Sequence, residues 1–267
     1  MPVKKETYHY LVYIQYLGFR YHGWQKQPGL KTVEFMIEKT LNFIFKGMPF
    51  KILGAGRTDA KVSANHSAFM LFSNQKLEPD ELKTQLNLNL PNDIRILKIR
   101  EKGPDFNVIN SVREKEYLYL FAHGDKAHPF CASLVVTFPD RLDIDLMKEG
   151  ARLFEGHHNF IQYCTKPSKN VNFNRDIFIS EIVENKLFQA NFFPEEIFVF
   201  RVRSKGFLRY QVRLMMGQLL CLGRKQISLD KIAGTLTGQE RRPLRHIAPA
   251  SGLVLNKIIY ADDRADE

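Results

Sequence analysis

The segment Ile52–Ala60, ILGAGRTDA, is where residue types and spacing could do chemistry. An apolar run leads into Gly54-Ala55-Gly56 and then delivers Arg57, Thr58 and Asp59, with Lys61 close behind. A carboxylate at such a point can act as nucleophile or general base. The glycine spacing suggests a dinucleotide fingerprint, but the third glycine position holds Asp59, and Ser63–Phe72 reads as strand rather than helix. The plain structural alternative is an Asx-type turn in which Asp59 bonds the local backbone. A second cluster comes late in the chain: Arg201, Arg203, Lys205, Arg209 and Arg213, with Tyr210 among them. Cations interleaved with an aromatic suit a groove that tracks phosphate and stacks bases, and solvated basic faces are the alternative. No P-loop and no GxSxG occurs.

The elements that position Asp59 read as β-α-β-β-α-β. Tyr8–Tyr16 is aromatic and branched, hence strand. Thr32 is an N-cap for a helix carrying Val33, Met36, Ile37, Leu41 and Ile44, stopped at Gly47. Strands follow at Phe50–Leu53 and Ser63–Phe72. Pro79 opens a helix with Leu82, Leu86 and Leu88, ended by Pro91, and Ile94, Ile96 and Leu97 mark the next strand. That order is ferredoxin-like.

The remainder nearly repeats it. Strands are expected at Arg113–Phe121, Asp176–Val183, Leu187–Phe192, Ile197–Arg203 and Gly252–Tyr260. Helices are expected over Leu146–Phe154, Phe207–Leu222 and Leu229–Leu236, and His157-His158 reads as loop. Two α+β halves result, 1–105 and 106–267, the first bearing the Asp59 loop and the second the Tyr117 strand and Arg213 helix. The polar tail beyond Ala261 is expected to be loose.

Composition narrows the class. The 267 residues carry 39 Lys plus Arg against 29 Asp plus Glu, a net charge of +10, which favours a polyanionic partner such as nucleic acid. A merely basic enzyme is the bland alternative. Three scattered cysteines with no CxxC argue against a disulfide framework or a structural zinc site. The absence of a long apolar run points to a cytoplasmic protein with no membrane partner.

Several spaced motifs together resemble the tRNA pseudouridine synthase A family. Tyr16–Gln27 is similar to its first signature, with Gly23-Trp24-Gln25 and Gln27. Gly56–Ala60 is similar to its catalytic loop, Leu90–Ile94 to its Leu-Pro-x-Asp-Ile turn, and Glu116–Tyr119 to its Tyr-x-Tyr strand. Phe207-Leu208 with Val212-Arg213 and Gly217 resembles its late helix, and Gly252-Leu253 its closing strand.

The resemblance implies a pseudouridine synthase fold, two ferredoxin-like halves sharing a mixed, largely antiparallel sheet. It implies isomerisation of uridine in tRNA, at anticodon stem-loop positions 38–40, by a homodimer using no cofactor and no essential metal. A non-catalytic RNA-binding module or tRNA chaperone on the same fold is the alternative. Asp59 corresponds to the catalytic aspartate, Tyr117 to the tyrosine that packs on the target base, and Arg213 to the arginine that pairs with the aspartate. Arg57 corresponds to an arginine that holds the target nucleotide out of the stack. Thr58, Lys61, Trp24, Gln25, Tyr119, Arg203, Arg209 and Tyr210 are expected to contact the RNA. A carboxylate could attack the sugar C1′ or base C6, or remove a proton at C2′; all three remain open. The chain departs from the family pattern at Leu17, Lys61, Ser63, Asn107, Ile109 and Gln211, and these altered neighbours are expected to face RNA.

Overall fold

The computed structural model describes residues 7–165, 167 and 171–261. The tail beyond Ala261 lies outside the described residues. Two compact units emerge, one holding the chain to Arg113 and its return from Leu255, the other Glu114–Val254. The expected division at 105/106 is therefore corrected. Two hydrogen bonds show why the closing strand returns to the first unit. Tyr260 Oη donates to Val108 O at 3.1 Å, and Asn65 Nδ2 donates to Asn256 Oδ1 at 3.0 Å.

The first unit has the expected β-α-β-β-α-β order: β1 (Tyr8–Tyr16), α1 (Val33–Phe45), β2 (Phe50–Gly54), β3 (Ser63–Ser73), α2 (Pro79–Asn89) and β4 (Ile94–Lys102). Strand β1 runs antiparallel between β3 and β4, and its centre, Tyr10–Ile14, is buried without alternation because both faces are covered. Strand β2 pairs antiparallel with the far end of β3, from Phe50 opposite Ser73 to Gly54 opposite Phe69. That pairing aims the chain leaving Gly54 back toward the start of β3. Thr32 caps α1 as expected, its hydroxyl accepting from Phe35 N.

The second unit contains β5 (Val112–His123), β6 (Val136–Phe138), α3 (Ile144–Arg152), β7 (Gly156–Asn159), β8 (Asn174–Glu184), β9 (Phe198–Ser204), α4 (Gln211–Gly223) and α5 (Leu229–Thr235). Its strands lie in the order β5-β9-β8-β7, all antiparallel, with β6 parallel to β5. The last strand, β10, is Leu253–Tyr260. Each unit is thus α+β and largely antiparallel.

Every residue of α4 except Arg213 is buried, as a helix enclosed on all sides must be. Helix α3 lies close against it. A Cβ on Gly150 would run into the Leu222 side chain, and one on Gly223 into that of Met147.

Three expectations fail locally. Leu187–Phe192 is loop, because Asn185 folds the chain over: its Oδ1 accepts from Leu187 N and Phe188 N, and its Nδ2 donates to Phe188 O. His157-His158 belongs to β7, where His157 Nδ1 lies 2.6 Å from Asp176 Oδ1 on β8. Helix α4 starts at Gln211 rather than Phe207, because Tyr210 sits in the left-handed region at φ 64°.

Candidate active site

Asp59 lies on the loop between β2 and β3, half-buried, with exposed Arg57 and Lys61 on either side. The turn after Asp59 is closed by the main chain, Val62 N donating to Asp59 O at 3.2 Å, with Lys61 at φ 67°. The loop's shape is imposed from outside. Trp24 N donates to Thr58 O at 3.1 Å and Lys61 N to Tyr21 O at 3.0 Å. Tyr16 Oη lies 2.9 Å from Thr58 Oγ1, and burial drives the Tyr16 phenol pKa up, against that hydrogen bond.

Two glycines permit this approach. Gly23, at φ 90°, would place a Cβ 2.6 Å from Thr58 O. A Cβ on Gly18 would collide with the Val62 carbonyl, and Gly18 N instead donates to Ser63 Oγ at 2.9 Å. The segment bearing these residues is pinned in turn by the turn after α2. Tyr21 Oη donates to Asp93 Oδ1 at 2.6 Å, Arg20 Nη2 to Asp93 Oδ2 at 2.6 Å, and Leu17 N to Asp93 O at 2.9 Å. Burial alone would raise the Asp93 carboxyl, but the hydrogen bonds from Tyr21 and Arg20 prevail and hold it below the usual carboxylate range.

Trp24 is corrected from the expected RNA contact. It is 2% exposed, between Phe69 and Tyr16 and against Gly54, so it supports the loop from beneath. Ser63 and Gln211 are likewise not RNA-facing. Both are buried, Ser63 accepting from Gly18 N and Gln211 Oε1 accepting from Leu208 N at 2.8 Å. Asn107 folds its own loop, its Oδ1 accepting from Ile109 N and Asn110 N. Gln25 and Lys61 are exposed as expected.

In the second unit, Tyr117 is partly exposed on β5 and meets Phe207 edge-on at 5.2 Å. Tyr119, expected at the RNA, is fully buried and donates to Pro249 O at 2.8 Å, a structural role. Burial pushes its phenol far up, against the pull of Arg213. Arg213 Nε donates to Ala248 O at 2.8 Å, and Ala248 N donates back to Arg213 O at 3.0 Å. Two successive carbonyls, Ala248 and Pro249, thus set Arg213 and Tyr119.

Arg203, expected to contact the RNA, is partly exposed and paired with Glu114, and Arg201 pairs with Glu116 at 2.7 Å and Glu181 at 3.0 Å. Those cations are largely neutralised within the unit. Arg209 and Arg213 stand over the ring of Tyr210 at 5.3 and 5.0 Å.

Sequence reasoning missed the positioning residues Tyr16, Gly18, Tyr21, Asp93 and Ala248. The signal for most was present, since they fall inside the first signature and the Leu90–Ile94 turn, but spacing alone does not say that two motifs touch.

A family model described as tRNA pseudouridine synthase matches residues 12–109 and 151–261, which takes in the whole Asp59 loop with its anchors and all of α4. Tyr117 and Tyr119 fall between the two matched stretches. The tRNA pseudouridine synthase A of Thermodesulfovibrio yellowstonii is 33% identical over 249 residues, covering 92% of this chain and 97% of that protein. That of Exiguobacterium sibiricum is 33% identical over 251 residues, covering 94% and 96%. That of Methylacidiphilum infernorum is 32% identical over 257 residues, covering 96% of each. The fold and matches together define an RNA-modifying isomerase class. Within it, the chain belongs to the tRNA pseudouridine synthase family.

Proposed function

We propose that this chain isomerises uridine to pseudouridine in tRNA, at anticodon stem-loop positions 38–40, as a cytoplasmic homodimer. Among the described residues no helix is long and apolar enough to cross a membrane. The observation that carries the reading is the clamped loop: Thr58-Asp59 is held by Tyr16, Gly23 and Trp24, so two family motifs act as one device.

The reaction breaks the C1′–N1 bond and forms C1′–C5. C5 gives up its proton and N1 gains one, so no atom is added and no electron leaves. The target base must leave the stack first. In this reading Arg57 holds the everted nucleotide, Asp59 supplies the carboxylate, and Tyr117 offers its ring to the base. Arg213 is the cation that favours the charged form of that carboxylate. Arg209 and Tyr210 bind the RNA backbone and bases, with Thr58, Lys61 and Gln25 near the target.

The test is Asp59→Asn, nearly isosteric but unable to act as nucleophile or base. Tritium release from 5-tritiated uridine in tRNA is expected to vanish while tRNA binding persists. Turnover by the variant would refute the assignment of Asp59. Tight tRNA binding by the unaltered chain with no tritium release would make it a binding module.

A further inference from the structure

Within the second unit, α4, α5, the turn between them, Gln162 and the segment 240–246 line an open pocket of about 480 Å³. That falls within the roughly 300–1,000 Å³ typical of small-ligand sites. It contains none of the residues assigned above to the chemistry. The buried Gln162 and Gln218 line it. Each carboxamide offers two donors and an acceptor, the vocabulary needed to meet the edge of a nucleobase. Ile227 and Leu244 supply apolar wall.

Its mouth is cationic. Lys231, Arg242 and Arg245 are all exposed, against the single carboxylate of Glu240. Among the described residues these three cations make no ion pair, whereas Arg201 and Arg203 in the same unit are paired with glutamates. The wall is built rather than accidental. Leu244 N donates to Gln162 O at 2.9 Å, and Gly217 lets the His246 carbonyl lie directly on α4, where any Cβ would collide with it.

We propose that this cavity holds one nucleotide of the bound tRNA, distinct from the uridine being isomerised. Its base enters between Gln162, Gln218 and the apolar wall, and its phosphate rests on Lys231, Arg242 and Arg245. The proposal deepens the tRNA reading and rests on it. Phosphate contacts at the mouth set position, and the amides read the base. No covalent step is involved.

Two measurements test it. The first compares Arg242→Gln/Arg245→Gln with Lys126→Gln/Lys186→Gln, an equal loss of charge at exposed positions elsewhere in the same unit. The cavity pair is expected to raise the KM for tRNA about tenfold with kcat unchanged, and the control pair to change KM less than about twofold. The second irradiates the full chain with 4-thiouridine-substituted tRNA and maps the labelled peptides. Label is expected on peptides carrying Gln162, Gln218 or Leu244, and is expected to fall in Gln218→Leu.

Equal KM effects from the two pairs would overturn the proposal, as would absent label. Labelling by photoactive uridine 5′-monophosphate but not by tRNA would also overturn it, since the site would then serve a free nucleotide. Crosslinking needs no turnover. A chain that labels without isomerising therefore fails the functional reading alone, and one that isomerises without labelling fails this inference alone.

Discussion

Gly54 and Trp24 occupy each other's space: a Cβ on Gly54 would lie 2.7 Å from Trp24 Cε2. The last residue of β2 thus carries an indole where its own side chain would be, and the same indole residue holds Thr58 O through its backbone N–H. The support beneath the Asp59 loop depends on the absence of one methyl group.

Gly54→Ala is therefore expected to cost about 1–3 kcal/mol, as overpacking against the buried Trp24 ring does. Urea unfolding gives the number. Adding Trp24→Phe, which trims the offending ring, is expected to restore part of the loss, a coupling readable from a double-mutant cycle. Simple addition of the two costs would show that the contact does not carry the loop.

Asp93 makes stability depend on acid. Its pKa lies below the ordinary unfolded value of about 3.9, so its contribution is present above that pH and is lost as pH falls through the folded value. Tyr21→Phe removes one of its donors and is expected to cost about 1.5–3 kcal/mol at neutral pH. The gap between variant and parent should narrow below about pH 4. A gap constant from pH 7 to pH 3 would mean that the phenol serves packing only.

Tyr210 pays for a left-handed backbone, a conformation costing a non-glycine residue about 1–2 kcal/mol. Tyr210→Gly relieves that strain, so stability is expected to stay within about 1 kcal/mol of the parent. The ring that Arg209 and Arg213 stand over is lost, and tRNA affinity is expected to fall by about 1–3 kcal/mol, the worth of one stacked base. Unchanged affinity would leave the ring without a role in RNA binding.

Salt should weaken tRNA binding steeply, because each phosphate contact releases a counterion. A log–log plot of affinity against salt is expected to slope downward, and Arg57→Gln with Lys61→Gln should flatten it. A flat plot for the parent would remove the exposed cations of the loop from the RNA surface.

The first unit was legible almost element by element, because its punctuation is local: Thr32 caps α1, Pro79 opens α2, and Pro91 follows its end. The second unit was less so. Phe188 and Phe192 sit in a segment rich enough in apolar residues to imitate a strand, yet Asn185 side-chain bonds turn the backbone away. Tyr210 broke the expected helix start with a conformation that composition does not announce. At the candidate site the residue types were readable, but burial was not. Trp24, Tyr119, Ser63 and Gln211 looked like surface chemistry and proved to be framework, and the pairing of Arg203 with Glu114 is not announced by the sequence. Such facts depend on partners distant in sequence.

The Asp59 loop borrows its shape from elsewhere. Tyr16 and Thr58 are 42 residues apart, and Gly18 and Ser63 are 45 apart. No short stretch of chain can therefore prefigure the loop, and its geometry appears only once β1, the turn after it and the start of β3 have come together. A nascent or partly melted chain therefore lacks the geometry that the proposed function asks of Asp59, and that geometry comes only with closure of the first unit.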